Sequence, residues 1–386
     1  MKSLTHWLYD QKVRNVLIQI ISLLVVFGVI SVLVYNAATN IKSQGMATGF
    51  SFLQSKSGFA INQLPIHYTE DSTYFRAFLV GLVNTIIVSF LGIVTATILG
   101  FLVAIARLSQ NYILNRLATA YIEILRNLPL LLLIFFFYFV VIRSLPLVRE
   151  SWHISEVIFL NNRGLYLPAL IHEPGSWIVV VAGIAAIILW FVYSGYVNRY
   201  QLKTGRRLAI WPVIVASMVG VAVLTLLIGT PFSWEFSKLG GFNFNGGIVV
   251  SPEFLSLYAA LSCYTASFIA ENVRSGILAV PKGQLEAARS LGLKRSVTLR
   301  KIVIPQAMRV IIPPMTNQYL NLTKNSSLAA TIGYPELFAV FGGTVLNQTG
   351  QAVEVLAITM GVYLFLSLTT SLVMNIYNKN TLLTER

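Results

Sequence analysis

Eight stretches of this chain contain no charged residue, and they constrain its fold more than any other feature. Five of them, residues 15–41, 77–106, 174–198, 208–234 and 355–378, reach the length of about 20 apolar residues that a helix needs to cross a membrane. Three shorter stretches, 127–142, 254–270 and 310–323, need flanking polar residues to complete a span. Because the apolar residues run continuously rather than in alternation, we expect helices and no strands.

The composition supports a membrane protein. Only 11% of the 386 residues are charged and 56% are hydrophobic, whereas soluble domains carry about 25% charged residues. The net charge of +14 is typical of basic loops beside anionic lipid and does not require nucleic acid. The single Cys263 excludes an intramolecular disulfide, and the four histidines lack metal-ligand spacing, so we expect no metal and no cofactor.

The distribution of lysine and arginine predicts the orientation. With the N terminus inside, nineteen of the 28 basic residues lie on the inner side, eight on the outer side, and Arg126 within a span. Basic residues mark cytoplasmic loops, so we expect both termini in the cytoplasm. The first stretch exceeds the apolar length of a signal peptide, about 7–15 residues, and we expect a retained helix.

A polar, basic segment at 281–305 separates two of the spans and should lie in the cytoplasm. Residues 284–291 are rich in helix formers, Glu286 is near the start, and Gly292 is placed as a C-terminal cap. A helix held crosswise between two spans, with the small residues Ala287 and Ala288, could dock in a groove of another protein. It could equally rest on lipid, and the residues alone leave both open.

The spacing in this segment resembles a family motif. The segment is similar to the EAA motif of type I ABC importer permeases. It contains Glu286-Ala287-Ala288, then Gly292 after three residues, Ile302 after nine more, and Pro305. Ile304 stands where leucine is usual. Residues 271–276, 280–284 and 126–131 resemble the polar-amino-acid subgroup. The N-terminal helix, the long outer loops and the helical pair at 174–234 resemble the larger permease subunits of general L-amino-acid transporters of alphaproteobacteria.

This resemblance implies an all-α membrane protein with about eight transmembrane helices. They would form a five-helix, type I ABC importer (MetI-like) core with an added N-terminal helix and an inserted helical pair. The implied division is an N-terminal interfacial segment, first helix and outer loop at 1–76, a first core part at 77–142, an outer loop and inserted pair at 143–251, a second core part at 252–378, and a cytoplasmic tail at 379–386.

The resemblance also implies a function. The chain would be the permease subunit of an ATP-driven L-amino-acid importer in the bacterial inner membrane, working by alternating access. It would pair with a second, paralogous permease, a cytoplasmic ATPase dimer and a periplasmic binding protein. The implied ATPase-coupling residues are Gly283, Glu286, Ala287, Ala288, Gly292, Ile302 and Pro305. The chain has no phosphate loop of its own, so ATP would bind only to the partner and the chain would not be an enzyme.

Two groups of polar residues within the apolar stretches are candidates for the substrate pathway, because ionisable groups in a membrane are costly. Glu123 and Arg126 open the third predicted helix three residues apart. They either line the pathway or form an ion pair near the cytoplasmic interface. Glu271 and Arg274 repeat this spacing, and there we expect a structural role.

The seventh apolar stretch in chain order, residues 310–323, is the second candidate for the substrate pathway, because interrupted helices mark transporter sites. It contains two prolines, and a polar segment follows it. The pathway candidates here are Asn317, Lys324, Asn325, Ser326 and Ser327. Lys324 could attract a substrate carboxylate, or it could lie at the outer interface beside a surface helix at 328–340. Asn84 and Thr85 are expected to bind a neighbouring helix instead.

Two other functions fit this sequence less well than an importer does. An ATP-independent secondary transporter or channel would need its own ion sites or an inverted repeat, neither of which the sequence contains, and it would leave the crosswise segment unexplained. An intramembrane enzyme would need paired catalytic aspartates or a similar motif within a span, and none is present.

Overall fold

The structure is a computed structural model that describes residues 11–43, 48–172, 176–206, 208–229, 232–241 and 243–381. The chain divides into two compact units, residues 1–87 with 319–386, and residues 88–318. The predicted interfacial segment at the N terminus lies largely outside the described residues, as does most of the C-terminal tail.

Twelve α-helices occur in the described part of the chain. They are α1 Gln11–Ser43, α2 Tyr74–Arg107, α3 Tyr112–Asn127, α4 Leu130–Phe135, α5 Ser176–Thr204, α6 Trp211–Ile228, α7 Pro252–Leu278, α8 Lys282–Ser290, α9 Arg295–Thr298, α10 Ile304–Asn325, α11 Leu346–Thr349 and α12 Ala352–Thr381. Wider π-helical turns follow at Phe136–Ile142, Leu299–Val303 and Phe338–Val345, and 3₁₀ turns at Ser51–Gln54, Val148–Glu150 and Ser326–Ile332.

Five of these described helices, α1, α2, α5, α7 and α12, are long and apolar enough to cross a membrane. The pair α3 and α4 would together make a sixth span, although the two axes differ by 111°. The expected all-helical membrane architecture is confirmed, but α6 is short and α10 is rich in polar residues, so these two fall below the criteria for a span. The side chains of α1 and α5 are mostly exposed and apolar, which suits contact with hydrocarbon.

The predicted helix over 127–142 was wrong at its start. Leu128 is extended, with φ −91° and ψ 138°, because a residue before proline avoids the helical region. Pro129 then precedes α4, and the chain turns sharply here. Glu123 and Arg126 therefore lie in the last part of the amphipathic helix α3 and do not open a span.

The expectation of no strands was also wrong, although only outside the spans. Eight short strands flank the inserted helical pair in the described part of the chain. The first three are β1 Trp152–Ile154, β2 Ile158–Asn161 and β3 Gly164–Leu167. The others are β4 Ala169–His172, β5 Phe232–Glu235, β6 Lys238–Gly240, β7 Asn243–Asn245 and β8 Ile248–Val250. An antiparallel sheet has the order β1-β2-β3-β8, and β4 pairs with β5 and β6 with β7. The β-branched and aromatic residues of these segments favour strands.

In the unit of residues 88–318, α7 is the central helix and connects two different structures. It begins at Pro252, directly after β8, and ends at Leu278, three residues before α8. At 1.5 Å per residue it is about 40 Å long, so the sheet and α8 lie at opposite ends of it. Near its second end Gly276 packs against Ile311 and Ala307 of α10, and a β-carbon at this position would overlap the Ile311 side chain.

The unit of residues 1–87 and 319–386 has an aromatic core. Phe52 and Tyr68 of the loop before α2 belong to one buried cluster with Tyr74 and Phe341. Phe78 and Phe341 meet edge to face, with ring centroids 5.2 Å apart. The alternative of a surface helix over 328–340 was wrong, because Ala329, Tyr334 and Leu337 in this segment are all buried.

Candidate functional site

The segment that resembles the EAA motif folds as a short capped helix. Pro281 is extended and α8 begins at Lys282. Gly292 has φ +66°, and its N–H donates to the Arg289 carbonyl at 2.9 Å while the Leu293 N–H donates to Ala288 at 3.1 Å. These two bonds are a Schellman motif, which satisfies the last carbonyls of a helix and requires a left-handed residue. The predicted helix and its glycine cap are confirmed.

The motif residues of α8 are divided between its two sides. Ala288 is 1% exposed and packs inward, whereas Gly283, Glu286 and Ala287 are exposed. A β-carbon added at Gly283 would meet nothing within 4 Å, so packing within the described chain does not require glycine there. The outer side of α8 is therefore narrow, small and polar, which allows close approach by another molecule.

Leu291 was missed in the sequence although it lies inside the motif spacing. Its side chain is 77% exposed directly before the cap, and Leu293, Val297 and Leu299 near it are exposed as well. Ile302, in the π-helical turn Leu299–Val303, and Pro305, the second residue of α10, are by contrast half-buried. Both lie where the chain returns into α10.

A cavity of about 510 Å³ lies beside α8 in the same unit. Its lining is mostly apolar and includes Ile277, Leu285 and Val303. Three basic residues, Lys282, Arg289 and Arg295, also line it.

A charge cluster lies at the same end of α7. The Glu271 carboxylate accepts from Arg274 Nη2 at 2.6 Å and from Arg107 Nη1 at 2.5 Å, and all three side chains are largely buried. Asn115 of α3 donates to the Arg107 carbonyl. This arrangement ties α2 and α3 to α7 and agrees with the structural role expected for Glu271 and Arg274.

The cluster gives a stability prediction. Glu271→Gln leaves two guanidinium groups without their carboxylate and should lower the free energy of unfolding by about 2 kcal/mol. Thermal unfolding of the detergent-solubilised protein measures this change. The matched control is Asp71→Asn, which removes the exposed Lys56–Asp71 pair at 3.0 Å and should leave the melting temperature unchanged. Equal melting temperatures for the two variants would contradict a structural role for the cluster.

The first pair of substrate candidates is not joined in the way the sequence suggested. Arg126 lies over the Phe268 ring of α7, with its guanidinium carbon 5.3 Å from the ring centroid. Glu123 is exposed, and in the described part of the chain the two side chains form no ion pair with each other. The alternative of an ion pair between them is therefore wrong, and Arg126 makes the cation–π contact instead.

The second group lies where α10 ends. The helix runs through both prolines to Asn325 and then tightens into the 3₁₀ turn from Ser326. Lys324 and Ser327 line a cavity of about 360 Å³ in the unit of residues 1–87 and 319–386, which we term the Lys324 cavity. Ser326 is fully buried and donates to the Thr323 carbonyl at 2.8 Å, whereas Asn317 is exposed and Asn325 half-buried.

Three further polar residues of the Lys324 cavity were missed. Thr359, Tyr363 and Ser367 of α12 line it together with Phe338, Leu356, Met360 and Leu364. Their spacing of four residues places the three hydroxyls on one side of the helix, and this periodicity was the available signal. The cavity thus combines one cation with apolar walls. The hydroxyls of Ser327, Thr359 and Tyr363 donate to acceptors within the protein, so Lys324 is the group that can bind a carboxylate beside an apolar group.

Asn84 and Thr85 of α2 bind their neighbours, as predicted. Asn84 Nδ2 donates to the carbonyls of Gln63 and Pro335 at 3.1 and 2.9 Å. Thr85 Oγ1 accepts from the Leu337 N–H at 3.0 Å.

Comparison with known proteins gives consistent relatives. Residues 199–381 match the family described as binding-protein-dependent transport system inner membrane component. The chain is 50% identical over 375 residues to the putative amino-acid ABC transporter permease YhdX of Escherichia coli (strain K12), covering 97% of this chain and 95% of that protein. It is 48% identical over 98% of its length to the general L-amino acid transport system permease AapQ of Rhizobium johnstonii, of which it covers 95%.

A third relative is the glutamate/glutamine/aspartate/asparagine transport system permease BztB of Rhodobacter capsulatus, 37% identical over 99% of this chain and 97% of that protein. All three are permease components, so the expected family is confirmed and an ATP-driven importer is supported over a secondary transporter. Such a permease is a multi-pass inner-membrane protein without catalytic activity, and it works with an ATPase, a binding protein and a second permease. The chain therefore belongs to the binding-protein-dependent transport system inner membrane components, the permease subunits of ABC importers.

Proposed function

We propose that this permease carries L-amino acids across the inner membrane by alternating access, and that it has no cofactor of its own because ATP binds only to its partner. The single observation that carries the substrate class is the naming of AapQ and BztB, relatives that match nearly the whole chain, as amino-acid permeases. The Lys324 cavity supports it, since an ammonium group beside apolar walls suits the carboxylate that all amino acids share.

Coupling to the ATPase is assigned to α8. Its outer side presents Gly283, Glu286 and Ala287, with Leu291 beside them, and its inner side is fixed to the chain by Ala288 and the Gly292 cap. Ile302 and Pro305 lie where the chain returns into α10. A small, rigid helix between two long ones suits docking in a groove, because little conformational entropy is lost on binding.

Charge and the length of α7 support an orientation of the chain in the membrane. Eight basic residues lie between positions 274 and 309, around α8, which favours the cytoplasmic side for this segment. The sheet at the other end of α7 would then face the periplasm and the binding protein. Both termini would lie in the cytoplasm, and the second permease would be a paralogue, as in the larger-subunit resemblance.

The proposed function can be tested by reconstitution. The permease is placed in proteoliposomes with its ATPase, its second permease and its binding protein, and uptake of radiolabelled L-glutamine and L-alanine is followed. We expect uptake that requires both ATP and the binding protein. Uptake without ATP would contradict the importer, and ATP-dependent uptake that excludes both amino acids would contradict the substrate class.

Uptake by a Gly283 variant tests whether the ATPase covers the outer side of α8. Since a β-carbon there meets nothing within 4 Å and alanine favours a helix, Gly283→Ala should keep the thermal stability of the isolated permease. In the assembled transporter the added methyl group should lower uptake about fivefold or more through overpacking against the ATPase.

Gly195→Ala in α5 is the matched control, because a β-carbon at that position also meets nothing within 4 Å. Its uptake should equal that of the wild type. Wild-type uptake in Gly283→Ala would place the ATPase contact elsewhere on the chain.

A further inference from the structure

Glu336 is a buried acidic residue to which the transport mechanism above gives no role. Its side chain is 0% exposed in the segment between the 3₁₀ turn Ser326–Ile332 and the π-helical turn Phe338–Val345. Burying a carboxylate is costly unless hydrogen bonds replace the lost water.

The carboxylate has three donors around it. Oε1 accepts from the Ala339 N–H at 2.7 Å and Oε2 from the Phe338 N–H at 2.9 Å. These two bonds satisfy the free N–H groups at the start of the following turn. Oε2 also accepts from the Tyr363 hydroxyl at 2.6 Å. Thr85 Oγ1 lies 3.5 Å from Oε2, but its proton is donated to the Gly81 carbonyl at 3.0 Å. The bond from Tyr363 comes from another helix, and helix capping alone does not explain it.

The segment that carries Glu336 is held firmly against α2. Pro335 accepts from Asn84 at 2.9 Å, and the Leu337 N–H donates to Thr85 at 3.0 Å. Leu337 is fully buried. The carboxylate is therefore a fixed point, and Tyr363 of α12 is the group that it can position.

Tyr363 connects this fixed point to the Lys324 cavity. Its hydroxyl binds Glu336, and its side chain lines the cavity together with Lys324 and Ser327. We propose that Glu336 is a positioning residue for substrate selection, which holds the Tyr363 ring in the cavity wall and so limits the space for the substrate side chain. This inference rests on the proposed role of the Lys324 cavity in amino-acid passage.

A carboxylate suits this task better than an amide. Both oxygens of Glu336 accept hydrogen bonds, whereas a glutamine side chain has one acceptor oxygen and an NH₂ group that would face a donor. Glu336→Gln should therefore weaken the bond to Tyr363 and loosen the ring. Tyr363→Phe removes the same bond from the other side and leaves the carboxylate bound to the two backbone N–H groups.

The experiment compares the selectivity of reconstituted complexes. Uptake of L-leucine and L-alanine is measured from an equimolar mixture, and the ratio of large to small substrate is compared among variants. We expect both variants to raise this ratio about five- to tenfold, as expected for the loss of a charge-assisted hydrogen bond. The double variant should equal the single ones, because both act through one bond.

Tyr68→Phe is the matched control. Tyr68 lies in the same unit, and its buried hydroxyl bonds Ser57 at 2.7 Å and the Phe59 carbonyl at 2.8 Å. Burial raises the pKa of Tyr68, so this hydroxyl is a donor at neutral pH. Its loss should lower stability without changing the uptake ratio, since Tyr68 does not line the cavity.

The uptake ratios of the variants decide whether Glu336 positions Tyr363. If Glu336→Gln fails to fold, Tyr363→Phe carries the test alone. A wild-type ratio in Tyr363→Phe, or lower uptake of both amino acids in equal proportion, overturns the positioning role. Absence of ATP-dependent uptake in the wild-type complex would instead contradict the proposed function itself.

Discussion

Replacing Glu286 with lysine should abolish ATP-driven uptake, by more than about a hundredfold, while the permease remains in the membrane at its normal level. The side chain is exposed on the outer side of α8, so reversing its charge does not disturb the interior of the permease. In the docked complex the new ammonium group would lie where a carboxylate is accommodated. Uptake assays and recovery of the ATPase with tagged permease measure the two effects.

Glu156→Lys serves as the control for this charge reversal. Glu156 is also exposed, but it lies in the turn between β1 and β2, at the other end of α7. We expect normal ATPase recovery for this variant. Normal uptake and normal ATPase recovery in Glu286→Lys would remove the coupling role from α8.

Lys324→Ala should lower uptake about tenfold and leave assembly with the ATPase unchanged. The substitution removes the only cation among the lining residues of the Lys324 cavity, and a charge-assisted bond to a carboxylate is worth about 1.5–3 kcal/mol. Uptake per assembled complex, with pull-down of the ATPase, separates the two readouts.

Lys324→Arg keeps the charge and should retain most of the uptake, although the geometry of its donors differs. Lys56→Ala removes an exposed lysine paired with Asp71 and should have no effect on uptake. Equal losses of uptake and assembly in Lys324→Ala would make Lys324 a structural residue and not part of the pathway.

Local chemistry made α8 predictable from sequence. Helix formers and a glycine after the last turn both act within one short segment, so their effects can be read without tertiary contacts. The predicted position of Glu286 near the helix start was wrong, because α8 begins at Lys282 and has no acidic residue in its first turn. The long apolar helices were predictable for the same reason, because crossing hydrocarbon depends on length and composition alone.

The turn at Leu128-Pro129 and the short strands were not predicted, because neither has a clear local signal in the hydropathy of the sequence. The sharp turn at Leu128-Pro129 lies inside a continuous apolar stretch, and hydropathy does not register a change of direction there. The strands around the inserted pair are three or four residues long, and strands so short depend on pairing partners far along the chain. For β3 and β8 that partner is separated by the whole helical pair.

The Lys324 cavity was only half predictable. Lys324 lies in the last turn of α10 and Ser327 in the 3₁₀ turn after it, so both carry a local sequence signal, whereas Tyr363 reaches the cavity through tertiary packing. Glu336 shows the same limit more clearly, because a charged residue in a polar-looking turn gives no sign that it is fully buried. Its neighbours Thr85 and Tyr363 are 251 and 27 residues away.

The close packing at Gly276 gives the α8 segment a mechanical property. Three residues separate α7 from α8, and the chain returns through α10, which touches α7 at Gly276 and Ile311. The two helices on either side of α8 are thus in contact with each other near it. If α8 binds the ATPase as proposed, a displacement of α8 should move α7 and α10 together rather than one of them alone.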